Sequence, residues 1–229
     1  MTIKLDSRKE FDELLNRVLN PENSIRVTFV NPVSYYSYMG NFDFDYVFSD
    51  GFFLTKLNNF FSSKPIERLS FDFSSIAGEV FIEAVRQNLK IALVGGTESE
   101  VQRTKRTLEA RYPGVLIPFA TSGFFESEEN LSECIKSANA DIVIVGMGAP
   151  LQEKTIEVLC SLISHPIVYF SCGGFISQTA LREDYYFPIV KKLGLMWVQR
   201  MIYHKHVRRR LLFDYPKFTV KYILSRFKK

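Results

Sequence analysis

Short apolar segments alternate with amphipathic segments over most of the chain. Runs of aliphatic and β-branched residues without polar alternation are typical of strands buried on both faces of a parallel sheet. Such runs predict four strands, at residues 91–94, 115–119, 141–145 and 167–170. Because helical patterns separate them, the sequence favours an α/β fold with a doubly wound, mainly parallel sheet of the Rossmann-like type.

The first 50 residues add three further elements. Residues 1–20 predict a short strand and then an amphipathic helix with Asp6 or Ser7 as its N-cap. Ile25 to Val30 is a strand candidate, and so is Tyr46 to Phe48, which leads into Ser49-Asp50-Gly51.

Glycine-containing loops follow the four predicted strands of the sheet. Ligands of open α/β sheets bind at the carboxyl ends of the strands, where glycine lets a backbone turn sharply and lets a ligand come close. Four such loops at one edge therefore predict a binding site. Its candidate binding glycines are Gly95, Gly96, Gly123, Gly146, Gly148 and Gly174.

The segment from Ala140 to Lys154 carries the most information about the ligand. Pro150 suits the first position of a helix, which places Gln152 and Glu153 in the first turn, where free N–H groups favour phosphate. The dinucleotide pattern GxGxxG is incomplete, because Leu151 stands at its third glycine, and no P-loop lysine follows. The segment fits either a phosphate-bearing ligand or an ordinary strand–loop–helix junction.

Two charged residues are candidates for chemistry, each with a plainer alternative. Asp50 ends an apolar strand and could act as a base, although Asp-Gly is more often a simple turn. Arg68 could bind a phosphate through paired hydrogen bonds, although an ion pair with Glu67 or Asp72 is the commoner role of such an arginine.

The composition is that of a soluble globular protein, with 46% hydrophobic and 24% charged residues. No apolar run reaches the roughly 18 residues of a membrane span. The polar start MTIKLDSRKE is not a secretory signal. Three scattered cysteines without a CxxC pair indicate reduced thiols in a cytosolic protein and no metal site.

The charge is divided unevenly along the chain. Residues 191–229 contain 12 Lys/Arg and one acid, a net charge of +11, whereas the other 190 residues carry −7. We therefore divide the chain into an α/β domain at 1–190 and a basic amphipathic appendage at 191–229, with a helix expected from 191 to 206. The appendage is expected to contact an anionic partner, such as a membrane surface, nucleic acid or a pyrophosphate-bearing substrate, unless it is a terminal helix packed on the domain.

Taken in order, several motifs resemble those of the WecG/TagA/CpsF family of bacterial glycosyltransferases (glycosyltransferase family 26). The most specific is Gly-x-Gly-x-Pro-x-Gln-Glu from Gly146 to Glu153, although family members often carry lysine where this chain has Leu151. The resemblance covers about residues 25–218. The remaining motifs are VTFVNP ending at Pro32, SDG at 49–51, ERLSFD at 67–72, VGG at 94–96, SGFF at 122–125, CGGF at 172–175 and GLMWVQRM at 194–201.

The resemblance implies transfer of a sugar from a UDP-sugar to an undecaprenyl-pyrophosphate-linked acceptor at the cytoplasmic face of the inner membrane, in the synthesis of a cell-surface polysaccharide such as teichoic acid, capsule or exopolysaccharide. It implies Asp50 as general base, Arg68 and Gln152 in contact with the diphosphate or sugar, and Asn31 in the pocket wall. Glu153 and the tail arginines Arg200, Arg208 and Arg210 would complete the binding residues. The appendage would close the site and contact the membrane.

No cofactor is expected, and no metal, because no Asp-x-Asp metal motif is recognised along the chain. Glycine-loop N–H groups, Arg68 and one or more tail arginines can stabilise the leaving UDP instead. Nucleic acid is not an expected partner, and the oligomeric state, homo-oligomers included, is left open. Two alternatives stand beside the transferase: a Rossmann-type nucleotide-binding oxidoreductase, and a non-enzymatic module that binds anionic membrane or nucleic acid.

Overall fold

Six short strands form one sheet in the part of the chain that the computed structural model describes, which is residues 3–17, 22–181 and 209–227 with single positions at 190, 198 and 202. The sheet is parallel throughout, in the order β2-β1-β6-β5-β3-β4. The predicted doubly wound parallel sheet is confirmed, and both strand candidates of the first 50 residues belong to it. The strands are β1 (Ile25–Val30), β2 (Tyr46–Ser49), β3 (Lys90–Gly95), β4 (Leu116–Thr121), β5 (Ile142–Gly146) and β6 (Val168–Ser171).

Helices cover both faces of this sheet. One face packs against α1 (Arg8–Arg17), α4 (Ala77–Arg86), α5 (Glu98–Arg111) and α8 (Phe175–Leu181). The other packs against α2 (Tyr35–Tyr38), α3 (Phe52–Phe61), α6 (Glu128–Ser137), α7 (Leu151–Leu162) and α9 (Tyr215–Phe227), the last preceded by a π-helical turn at Arg210–Asp214. None of the described helices is both long and apolar enough to cross a membrane.

The central strand β5 shows why continuous apolar runs are needed here. Ile142 and Ile144 point into one core, and Val143 and Val145 point into the other. All four are 0% exposed. Successive side chains of a strand point to opposite faces, so a strand covered by helices on both faces must be apolar at every position.

The predicted N-terminal strand is wrong for the residues that the structure describes. Residues 3–7 are not part of the sheet, although they run beside its edge strand β2. The Asp6 N–H donates to the Val47 carbonyl at 2.8 Å, and the Asp6 carboxylate accepts from the Val47 N–H at 2.8 Å. Because a side chain takes the N–H that a seventh strand would need, no ladder forms there.

Helix α9 docks through aromatic rings onto α2 and α3. Phe218 and Tyr222 are buried, and both ring centroids lie 5.5 Å from that of Tyr35. The Tyr222 hydroxyl donates to the Asn58 side-chain oxygen at 3.1 Å. This part of the basic appendage is therefore packed on the α/β domain. The helix predicted from 191 to 206 lies outside the described residues except at the single positions Val198 and Ile202.

Candidate active site

A cavity of about 670 Å³ lies at the carboxyl ends of the strands. Loops after all six strands contribute to its wall, as expected for a doubly wound sheet. Of the candidate residues, those that line it are Asn31, Asp50, Gly96, Gly123, Gly146, Gly148, Gln152 and Gly174. The candidates Arg68, Gly95 and Glu153 lie outside the lining.

Asp50 is held in the cavity wall by the end of strand β1. Its backbone N–H donates to the Val30 carbonyl at 2.8 Å, which places it beside Asn31 although the two are far apart in sequence. Gly51 follows with a φ of +143°, a conformation that L side chains rarely adopt, and the chain then enters α3. The Asp50 side chain is 26% exposed, so its carboxylate is open to a ligand in the cavity.

Arg68 lies behind Asp50 and joins two carboxylates. Its guanidinium Nη2 is 3.3 Å from the Asp50 Oδ1 and 3.0 Å from the Asp72 Oδ2. Burial alone would raise the pKa of Asp72, but Arg68 and the hydroxyls of Ser74 and Ser70 outweigh it and hold that pKa below its ordinary value. The ion pair with Asp72 that the sequence offered is thus present, and the same arginine also contacts Asp50.

Asn31 is fixed by its own side chain at the start of α2. Its Oδ1 accepts from the backbone N–H groups of Val33 at 2.9 Å and Ser34 at 3.2 Å. This Asx-type turn uses the oxygen of the amide. It leaves the NH₂ group of Asn31 as the donor end of a side chain in the cavity wall.

The glycines at the ends of β3 and β5 are required by packing as well as by any ligand. A Cβ on Gly95 would lie 2.2 Å from the Gly146 carbonyl oxygen, and one on Gly146 would lie 2.7 Å from the Cys172 Sγ. Strands β3 and β5 pair directly at these two glycines. By contrast, a Cβ on Gly148 would meet nothing within 4 Å, so that position faces open space.

Gln152 and Glu153 begin α7 and are both 3% exposed. Their predicted place in the first helical turn is confirmed, with Pro150 at the capping position just before the helix. The Gln152 Oε1 accepts from the Gly173 N–H at 3.0 Å, and its Nε2 donates to the Glu153 Oε1 at 2.8 Å. Gln152 reaches the cavity, whereas Glu153 lies behind it in the interior.

The side chains of the candidate tail arginines are not among the described parts of the structure. Arg200 and Arg208 lie outside the described residues, and Arg210 is described only as the first backbone position of the π-helical turn.

Several cavity residues escaped the sequence analysis. They are small polar side chains in loops and short helices, where no hydrophobic period marks them: Ser34, Ser37, Ser177 and Gln178. Phe124, within the SGFF motif, also lines the cavity and is 84% exposed. Cys172 lines it too, but burial raises the pKa of its thiol, so it is poorly suited to act as a nucleophile.

The chain does contain one Asp-x-Asp sequence, Asp43-Phe44-Asp45, and the structure separates it from the cavity. It precedes β2, at the opposite end of that strand from Asp50. Asp45 accepts from the Arg26 side chain at 3.3 Å and from its backbone N–H at 2.7 Å. Among the described residues no three His, Cys, Asp or Glu side chains are grouped closely enough to hold a metal ion.

Comparison with known proteins shows which family this chain resembles. The profile of the glycosyl transferase WecG/TagA/CpsF family matches residues 2–229. A UDP-Gal:alpha-D-GlcNAc-diphosphoundecaprenol beta-1,4-galactosyltransferase of Shigella boydii is 41% identical over 215 residues, covering 91% of this chain and 90% of the relative. These findings favour the transferase over the oxidoreductase and over a non-enzymatic module.

Proposed function

The chain belongs to the WecG/TagA/CpsF family of glycosyl transferases, and from that premise we propose that it moves galactose from UDP-galactose to N-acetylglucosamine on a diphosphoundecaprenol carrier. The proposal rests on the relative from Shigella boydii, whose similarity extends over about nine tenths of both chains. The observation that carries the chemistry is the Asp50 carboxylate, which is open to a cavity large enough for a nucleotide sugar.

Asp50 is the proposed general base. The acceptor hydroxyl gives its proton to the Asp50 carboxylate while its oxygen bonds to C1 of the donor sugar. The bond from C1 to the phosphate oxygen breaks, and its electron pair leaves with UDP. A nucleotide sugar with an α linkage gives a β product in one such displacement, so a single base is sufficient.

Charge on the departing UDP is stabilised by backbone N–H groups at the strand ends and by arginines of the appendage. Gly96 and Gly174 bring their backbone N–H groups into the cavity wall, where free N–H groups favour phosphate. The N–H of Gly123 already donates to the Gly96 carbonyl at 2.9 Å. Arg200, Arg208 and Arg210 are the proposed cationic partners, and we propose that no divalent metal takes part. Turnover unchanged by EDTA, with no gain on adding Mg²⁺ or Mn²⁺, is the expected result.

We further propose that the protein works as a peripheral protein on the cytoplasmic face of the inner membrane. Helices α3 and α9, which pack on each other, together expose large apolar side chains beside Lys56, Lys217 and Lys221, as a membrane-surface element requires. These side chains are Phe52, Phe53, Phe60, Val220, Leu224 and Phe227.

Liposome flotation tests the membrane proposal. Phe60→Ser combined with Phe227→Ser should reduce binding to anionic vesicles, while Ile82→Ser, on the opposite face of the sheet and 59% exposed, should not. Equal flotation of wild type, the Phe60→Ser/Phe227→Ser variant and the Ile82→Ser variant would contradict the membrane proposal.

The transfer itself is tested with UDP-galactose and a synthetic N-acetylglucosamine-diphospholipid. Wild type should form the disaccharide, and UDP-glucose and UDP-N-acetylglucosamine should be poor donors. Asp50→Asn should bind UDP as wild type does and lose about 10²- to 10⁴-fold in kcat. Asp43→Asn, outside the cavity, is the matched control. Full activity of Asp50→Asn would contradict the proposal that Asp50 is the base. Absence of UDP binding by the wild type would contradict the proposed transferase function.

A further inference from the structure

The carboxyl group of Glu153 is buried next to the cavity without a cationic partner among the described residues. Its Oε1 accepts two hydrogen bonds, from the Thr28 hydroxyl at 2.9 Å and from the Gln152 Nε2 at 2.8 Å. Its Oε2 is buried and has no hydrogen-bond partner in the part of the chain that the structure describes. A half-satisfied buried carboxyl group costs folding free energy, so stability alone does not explain it.

The hydrogen bonds of Glu153 determine which group donates and which accepts in a hydrogen-bond chain that connects three elements. Thr28 uses its only hydroxyl hydrogen on Glu153, so the Ser171 hydroxyl, 2.9 Å from Thr28 Oγ1, must be the donor of that pair. Thr28 lies on β1, Ser171 on β6 and Glu153 on α7. All three residues are buried, at 0%, 0% and 3% exposure.

The same carboxyl group decides which end of the Gln152 amide faces Gly173. Because Glu153 only accepts at Oε1, it holds the NH₂ end of Gln152, and the carbonyl end is left to receive the Gly173 N–H at 3.0 Å. A flipped amide would set two donors against each other. Gly173 has a φ of +54° and precedes the first turn of α8, so this bond holds the loop 172–174 that forms one wall of the cavity.

We infer that Glu153 is a positioning residue, which orients Gln152 and through it the 172–174 loop that receives the UDP-sugar. The inference rests on the proposed function for the identity of the ligand. It moves Glu153 from direct ligand contact, which the family resemblance implied, to support from behind Gln152.

A double-mutant cycle tests this inference. Glu153→Leu, similar in size but without an acceptor, is expected to raise the KM for UDP-sugar and the Kd for UDP about tenfold, the loss of one hydrogen bond, and to change kcat little. Glu153→Gln keeps the oxygen and should recover most of that loss. In a Gln152→Leu background, Glu153→Leu should have no further effect, because its partner is gone. Lys154→Leu, exposed on the next position of α7, is the control.

The Gly173 amide resonance in ¹⁵N NMR gives a second measurement that does not depend on turnover. It should shift in Glu153→Leu and stay in place in Glu153→Gln and Lys154→Leu. An undisturbed Gly173 amide in Glu153→Leu, or an equal tenfold loss in both backgrounds, would overturn the inference. A wild type that binds no UDP, with the Gly173 shift as expected, would instead remove the proposed function and leave the positioning role intact.

Discussion

The Arg68 guanidinium nitrogen lies 3.3 Å from the Asp50 carboxylate and at the same time 3.0 Å from that of Asp72. One cation thus connects the candidate base to a second carboxylate, Asp72, which is largely buried and also belongs to the cavity lining. The motif ERLSFD supplies both Arg68 and Asp72, four residues apart, while Asp50 comes from a different loop. The position of Asp50 therefore depends on a side chain that does not itself line the cavity.

Arg68→Gln is expected to reduce both stability and turnover. Leaving the buried Asp72 without its cation should cost about 3–5 kcal/mol in the free energy of unfolding. The misplaced Asp50 should lower kcat at least tenfold, with UDP binding changed less. Chemical denaturation, steady-state kinetics and UDP titration measure the three. Arg86→Gln, which breaks an exposed pair with Glu83, should leave both stability and turnover nearly unchanged. Equal effects of the two changes would contradict the assigned role.

The lowered pKa of Asp72 makes stability depend on acidity. A carboxyl group whose pKa is lowered on folding stabilises the protein at pH values above its unfolded-state pKa, which is about 3.9. That contribution is lost as the pH falls through the folded-state pKa. The free energy of unfolding, measured from pH 6 down to pH 3, should therefore fall more steeply for wild type than for Asp72→Asn at the acid end of this range. Parallel curves would show that the pKa of Asp72 is not depressed.

Two glycines of the cavity edge should respond very differently to alanine. Gly95→Ala drives a Cβ to 2.2 Å from the Gly146 carbonyl oxygen, where only a backbone shift relieves the clash. Gly148→Ala meets no atom within 4 Å and has only its φ of +78° to strain it, about 1–2 kcal/mol. We expect Gly95→Ala to lower Tm by at least twice as much as Gly148→Ala. A larger drop in Tm for Gly148→Ala than for Gly95→Ala would contradict the close contact between Gly95 and Gly146.

Phe218 should decide whether α9 stays docked. It is 2% exposed and packs against Tyr35, Tyr36 and Tyr222 with ring centroids 5.4–5.7 Å apart. Phe218→Ala should lower the local opening free energy of α9 by about 3 kcal/mol or more, measured by amide hydrogen exchange. Val220→Ala, 60% exposed on the same helix, should stay within about 0.5 kcal/mol. Unchanged protection of α9 in Phe218→Ala would contradict the docking.

The sequence predicted the sheet because burial on both faces leaves a strong mark. Strand β5 has no polar residue between Ile142 and Val145, and the glycines that end β3 and β5 are forced by the approach of Gly95 to Gly146. A strand pattern thus indicates where the sheet edge is and which loops meet there. Asp50 follows from the same rule, since it stands directly after a strand. Asn31 also stands directly after a strand, but it was predicted from the family resemblance.

Contacts between polar side chains left no such mark. A Gln-Glu pair in a first helical turn gives no indication that Glu153 points inward to Thr28, 125 positions earlier in the chain. Helix α3 was not predicted, because Phe52, Phe53 and Phe60 are exposed while the polar Thr55 and Asn58 are buried, which reverses the usual amphipathic pattern. Such choices are settled by tertiary packing, which the local pattern of one segment does not contain.

The carboxylate of Asp6 has a consequence for the behaviour of the protein in concentrated solution. Strand β2 is an edge strand of the sheet, and an unpaired edge strand is a template on which a second molecule can add a strand. Asp6 occupies both the N–H and the carbonyl of Val47 and places a negative charge there. Residues 3–7 therefore block strand addition by a second molecule at Val47, which is a task separate from catalysis.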